Sequence, residues 1–174
     1  LSKTTKISEA TIVLDPGHGG SDSGALSSKN KMEKTYTLRV AKAVAKRLRA
    51  AGAHVVLTRN TDTYVGLSAR PALANKLNAD AFISFHFDSS PENNQGSGIT
   101  TYYYHKSTSL ALAKALSNDV VGLPIKNKGT AFGDFLVIRD NSVPAVLMEL
   151  GYINDDSDFK TISSKKYPNE VAQA

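Results

Sequence analysis

Two histidines and two glutamates in this chain stand where hydrolytic chemistry could be assembled from them. His18 lies in the turn Asp15-Pro16-Gly17-His18-Gly19-Gly20, whose glycines let the backbone bend sharply and approach a ligand closely. His86 stands near the end of the apolar run Ala81-Phe82-Ile83-Ser84-Phe85-His86-Phe87, and Glu149 closes the run Pro144-Ala145-Val146-Leu147-Met148-Glu149. Glu33 opens a segment of helical period. At 100° per residue it falls within about 40° of Thr37, Val40 and Val44, on the stripe that faces the sheet. A carboxylate aimed at a core needs a cation, a salt-bridge partner or a metal.

Taken singly, each position has a plainer explanation. A histidine in a glycine-rich turn is commonly solvated, and a carboxylate in a first helical turn gains modestly from the helix dipole. A histidine in a strand is commonly satisfied by a neighbour, and a glutamate at a strand end commonly forms a salt bridge. The glycine-rich turn lacks both the Lys-Ser/Thr ending and the G-x-G-x-x-G spacing of phosphate-binding loops. Together the four suit one crevice. Two imidazoles and one carboxylate form the usual catalytic zinc shell with a position left for water, and a second carboxylate can take that water's proton. The chain has no cysteine, which excludes disulfides, thiolate metal sites and thiol nucleophiles.

These residues need elements to carry them. Short apolar runs at 12–14, 55–57, 81–87, 135–138 and 145–148 read as buried strands, and 98–104, rich in Thr and Tyr, reads as a strand near a sheet edge. Between them, 32–50, 67–77 and 110–121 show helical period, with a weaker segment after 155. This alternation predicts a three-layer α/β fold: a twisted, mostly parallel sheet of about six strands, helices on both faces, and ligand sites at the carboxyl ends of the strands. The whole chain, 1–174, is expected to be one domain, with its last helix cut short. His54 and His105 read as surface residues. On the helix over 32–50, Arg39, Lys42, Lys46 and Arg49 form one solvated basic face.

The chain has 174 residues, 41% of them apolar, and its longest apolar runs fall well short of the ~20 residues that span a bilayer. A net charge of +5 draws it to polyanions, but no nucleic-acid recognition motif accompanies that charge. The sequence begins at Leu1 with no leader pattern, as expected of a processed or excised piece.

The segments TIVLDPGHGGSDSGA, MEKTYTLRVAKAVAKRL, LSARPALANKLNADAFISFH, GSGITTYYY and FLVIRDNSVPAVLMELGYIND resemble, in this order, the zinc-dependent N-acetylmuramoyl-L-alanine amidases of the amidase-3 type. The resemblance extends from about Ala10 to about Phe159 and covers every metal and catalytic position of that family. It implies a twisted six-stranded sheet between helices. It also implies hydrolysis of the amide between the lactyl group of N-acetylmuramic acid and L-alanine in peptidoglycan. Position by position, it makes His18, Glu33 and His86 the ligands of Zn2+ and Glu149 the catalytic carboxylate. The implied setting is extracytoplasmic, at or secreted to a bacterial cell wall, with peptidoglycan as partner, the chain as a monomer, and room for a protein activator.

Two departures qualify that picture. Phe87-Asp88-Ser89 follow His86 where the family often has a small residue and then asparagine, adding a carboxylate beside the metal. The connection from His86 to the Glu149 strand is too short for a self-inhibitory helix, so the cleft is expected to be open. The same residues would also serve a catalytically weak or partner-activated wall-binding domain, or a zinc peptidase acting on free peptides.

Overall fold

The computed structural model describes residues 6–174. Six strands carry the sheet: β1 (Thr11–Pro16), β2 (His54–Leu57), β3 (Ala81–Asp88), β4 (Ile99–Tyr103), β5 (Asn127–Phe132) and β6 (Ala145–Tyr152). Six helices connect or follow them: α1 (Glu33–Ala50), α2 (Ala69–Leu77), α3 (Lys106–Asp119), α4 (Leu136–Arg139), α5 (Asp156–Ile162) and α6 (Tyr167–Gln173). The strand order is β2-β1-β3-β6-β4-β5, and every neighbouring pair is parallel except β4 with β6.

Side-chain alternation along the strands builds two cores. Ile12 and Leu14 of β1 join Phe85, Phe87, Val146 and Met148 under α1, α3, α5 and α6. Val13 faces the other way, with Phe82 and Leu147, under Ala74 of α2 and Val137 and Ile138 of α4. A strand with both faces covered must be apolar throughout. This is why β1, β3 and β6 stood out in the sequence. The expected three-layer, mostly parallel architecture is therefore present.

From β1 the chain passes outward to β2 and then returns to the other side of β1 as β3. The direction of winding reverses there, and the reversal opens a crevice beyond the carboxyl ends of β1 and β3. His18 follows β1 and His86 lies near the end of β3, so both are delivered to that crevice.

Two expectations are corrected, and one strand was not anticipated. Residues 135–138 are not a strand: Leu136–Arg139 form the short helix α4, tied down by Asn141 Nδ2, which donates to the Val137 carbonyl at 3.1 Å. A four-residue apolar run does not distinguish a buried strand from one buried helical turn. The strand that completes the sheet is β5, whose half-buried and exposed residues Asn127–Phe132 carry no apolar pattern because it is an edge strand. His105 is half-buried rather than a surface residue, and its Nε2 donates to the Arg139 carbonyl at 2.7 Å. His54 is exposed, as is the basic set Arg39, Lys42, Lys46 and Arg49. Among the described residues, no helix is long and apolar enough to cross a membrane.

Candidate metal centre

The turn after β1 holds His18 in the left-handed region, at φ 64°. A non-glycine residue adopts that conformation only when its surroundings impose it. Two buried arginines do so here. Arg70 of α2 donates to the carbonyls of Pro16 at 2.8 Å and His18 at 2.9 Å, and Arg59 donates to those of Pro16 at 3.1 Å and Gly17 at 3.0 Å. Arg70 is itself anchored by the fully buried Asp15 carboxylate at 2.9 Å, which also accepts from Thr58 and Ser84. Farther round the loop, Lys34 Nζ donates to the Gly20 carbonyl and to Asp62, both at 2.9 Å.

Glu33 reaches the crevice from the first turn of α1. Its Oε1 accepts from the Ala25 amide and its Oε2 from the Phe87 amide, each at 3.0 Å. The same Oε2 lies 3.1 Å from His18 Nε2 and 3.2 Å from His86 Nδ1. The imidazole planes stand nearly perpendicular, with centroids 4.9 Å apart. Glycines permit this crowding. A Cβ on Gly17 would sit on the His86 ring, and one on Gly24, at φ 68°, would lie 2.6 Å from His18 Cδ2 and 2.8 Å from Glu33 Cβ.

His18, Glu33 and His86 each offer one donor atom, all within 4.8 Å of one another, and this group could hold a metal ion. The spacing suits one. Zinc bonds of ~2.0–2.1 Å in a tetrahedron separate adjacent donors by roughly 3.3–3.4 Å, close to the two contacts just given. Asp22 Oδ2 accepts from His18 Nδ1 at 2.8 Å, which places the ring proton on Nδ1 and leaves the Nε2 lone pair facing the cluster. Glu33 is only 3% exposed, and among the described residues the side chains that pair with its carboxylate are imidazoles, beside the two backbone amides. A buried anion whose partners are themselves metal donors is better balanced by a cation than by neutral rings.

The electrostatics separate the two glutamates. Burial pushes the Glu33 carboxyl up, but the hydrogen bonds and charges of His18 and His86 outweigh it and hold the group far below the usual carboxylate range. At His18, burial opposes the charged ring, yet Glu33 and Asp22 outweigh it and raise the pKa, so the field here favours positive charge. Glu149 goes the other way: burial, then the negative charges of Glu33 and Asp88, push it well above 4.5. It pairs in register with His86 across β6 and β3, is 8% exposed, and its Oε2 has no hydrogen-bond partner among the described residues. Two carboxyls driven apart in this way can divide into a permanent anion and a proton carrier.

All four residues singled out in the sequence are thus brought together. Those that hold them were not foreseen: Asp15, Asp22, Arg59 and Arg70. For Asp22 a signal existed, since it stands four residues from His18 in the same loop. The arginines gave none, because the carbonyls they hold, and the Asp15 carboxylate that anchors Arg70, are remote in sequence.

The sequence profile of the Amidase_3 family, described as N-acetylmuramoyl-L-alanine amidase, matches residues 12–174. The probable cell wall amidase LytH of Staphylococcus epidermidis is 41% identical over 94% of this chain and 55% of its own length, so the chain spans about half of that relative. Among solved structures, the N-acetylmuramoyl-L-alanine amidase AmiC2 of Nostoc punctiforme superposes with a TM-score of 0.90 at 37% identity, covering 95% of this chain and 92% of that one. The CwlD amidase of Clostridioides difficile, solved in complex with the GerS lipoprotein, superposes with a TM-score of 0.84 at 25% identity, covering 94% and 92%.

Proposed function

The chain belongs to the Amidase_3 family of N-acetylmuramoyl-L-alanine amidases, and from that membership we propose that it is a single catalytic domain that hydrolyses the amide between the lactyl group of N-acetylmuramic acid and L-alanine in peptidoglycan. In this proposal it acts as a monomer outside the cytoplasm, at the cell wall or secreted. The observation that carries the proposal is the buried Glu149 carboxyl, whose Oε2 has no hydrogen-bond partner among the described residues, beside a His-Glu-His cluster with the spacing of a metal shell.

His18, Glu33 and His86 would hold the metal, for which Zn2+ suits the nitrogen and carboxylate donors. A bound zinc would supply Lewis-acid polarisation and an acidified water. The remaining work falls to the chain. Glu149 accepts the proton of the attacking water, and its raised pKa lets it keep that proton until the C–N bond breaks. It then donates the proton to the departing alanine nitrogen. Asp22 keeps His18 in the tautomer that presents Nε2 inward, and Arg59 and Arg70 keep the His18 backbone in its strained conformation.

Purified sacculi should release stem peptides with a new L-alanine amino terminus, read by mass spectrometry, and a chelator should stop the release. Shortened stem peptides would instead indicate a peptidase, and binding without release a non-catalytic wall domain. Because CwlD was solved with a lipoprotein partner, the digest is run with the chain alone. Release under those conditions excludes an obligatory activator.

The basic face of α1 supports retention on an anionic wall: Arg39, Lys42, Lys46 and Arg49 are all exposed. Screening shortens from about 10 Å at 0.1 M salt to about 3 Å at 1 M, so the bound fraction should fall across that range. The double variant Lys42→Glu, Lys46→Glu should fall to the high-salt level already at 0.1 M, as measured by sedimentation with sacculi.

A further inference from the structure

Two cavities meet at the His18–Glu33–His86 cluster, and they differ in chemistry. The larger, about 500 Å3, is walled by Tyr64, Val65, Leu67 and Leu136. The smaller, about 280 Å3, contains Ala25, Glu33, Asp88, Ser89 and Glu149. His18, His86, Phe135 and Leu147 line both, so the cluster is their junction. Glu149 opens only into the smaller one.

We propose that substrate crosses this junction in one direction: the stem peptide runs out through the smaller cavity past Asp88 and Ser89, and the muramic acid ring lies in the larger one, packed on Tyr64. This rests on the amidase reading above. Hydrolysis forms a C–O bond and breaks a C–N bond at one carbon, and the proton lost by water ends on the nitrogen. Glu149 carries that proton, so the attacking oxygen and the leaving nitrogen both lie on its side. The remaining substituent, the acyl carbon that leads to the lactyl ether and the sugar, is therefore turned away from Glu149. Away from Glu149, the junction opens into the larger cavity.

The walls of that cavity suit a sugar. Tyr64 is 63% and Leu67 60% exposed, so both present apolar surface at the cavity beside a polar centre. A pyranose offers a C–H face to stack on a ring and hydroxyls at its edge, and apolar walls with a few polar groups are the usual lining of a small-molecule site. Asp22 and Asp134 also line the cavity, Asp22 engaged by His18 and Gly24 and Asp134 by Arg139. The platform is also fixed in place. Gly19 at φ 128° and Gly20 at φ 58° pack so closely on the backbone of Thr63 and Tyr64 that neither has room for a Cβ, so Tyr64 is held against the loop that carries His18.

The test uses zinc-loaded protein carrying Glu149→Ala, so that ligands bind uncleaved, and calorimetric titration with two probes: muramyl dipeptide, and the same dipeptide bearing only the lactyl group. Adding Tyr64→Ala should weaken muramyl dipeptide about five- to tenfold and leave the lactyl dipeptide within about twofold, the scale of one lost aromatic contact. Equal weakening of both probes, or of neither, would overturn the assignment. With Glu149 intact, KM for the two compounds as substrates should show the same asymmetry. Tyr64 is exposed, so its truncation leaves the fold intact, and a matching melting temperature confirms this. If the sacculus digest yields shortened stem peptides and no new L-alanine amino terminus, the amidase reading fails. If that terminus appears and Tyr64→Ala does not discriminate between the probes, only the direction of binding fails.

Discussion

Replacing Glu149 by alanine should lower the rate of peptide release by roughly 10²- to 10⁴-fold, the range expected for losing a positioned proton carrier, while zinc content stays at the wild-type level. Glu149 lies outside the three-residue cluster, so its removal leaves all three candidate metal donors in place. The melting temperature should not fall either, because the variant deletes a buried carboxyl whose Oε2 makes no hydrogen bond among the described residues. Glu149→Gln keeps the shape and removes the proton chemistry, and it should be just as inactive. Zinc analysis, a melting curve and a timed sacculus digest on the same preparations decide the matter. A variant within tenfold of wild type, with its metal in place, would remove Glu149 from the mechanism.

His86→Ala and Glu33→Gln should have the opposite profile, losing the metal first and activity as a consequence. Removing an outer-sphere partner of a metal ligand typically costs 10- to 100-fold in affinity, so loss of a ligand itself should exceed about 100-fold. A ligand that binds only the folded state stabilises it by mass action, so wild-type protein should melt higher with zinc than with chelator, and both variants should lose that difference. Glu33→Gln should be the more damaging to the apoprotein. Its carboxylate accepts from both Ala25 and Phe87 amides, and a glutamine would turn an NH2 group toward one of those donors. Retention of stoichiometric zinc by either variant in competition with a chelator would exclude that residue as a ligand.

Much of this site was legible in the sequence because its chemistry sits on its most regular elements. β3 and β6 are buried on both faces, so their apolar runs announce them and mark His86 and Glu149 as polar intrusions near their ends. Glu33 betrayed itself by falling on the buried stripe of α1 with Thr37 and Val40. The supports were illegible for physical reasons. Arg59 and Arg70 act through backbone carbonyls of residues 16–18, and nothing in side-chain type or spacing encodes such a partner. β5 is an edge strand containing Asn127, Lys128 and Gly129, so neither burial nor periodicity marks it. α4 is a single turn whose apolar residues fill the core beneath α2, and composition alone made it look like a strand.

His86 and Glu149 are in-register partners, a single rung of the parallel ladder between β3 and β6. Neighbouring strands keep a separation of roughly 4.8 Å that is set by main-chain hydrogen bonding and is indifferent to side-chain identity. The interval between them is thus built into the skeleton, whereas the side chains that wall the crevice at Tyr64 and on α4 can be substituted without touching it. Such a scaffold can vary the lining of its crevice while the offset between these two side chains stays constant.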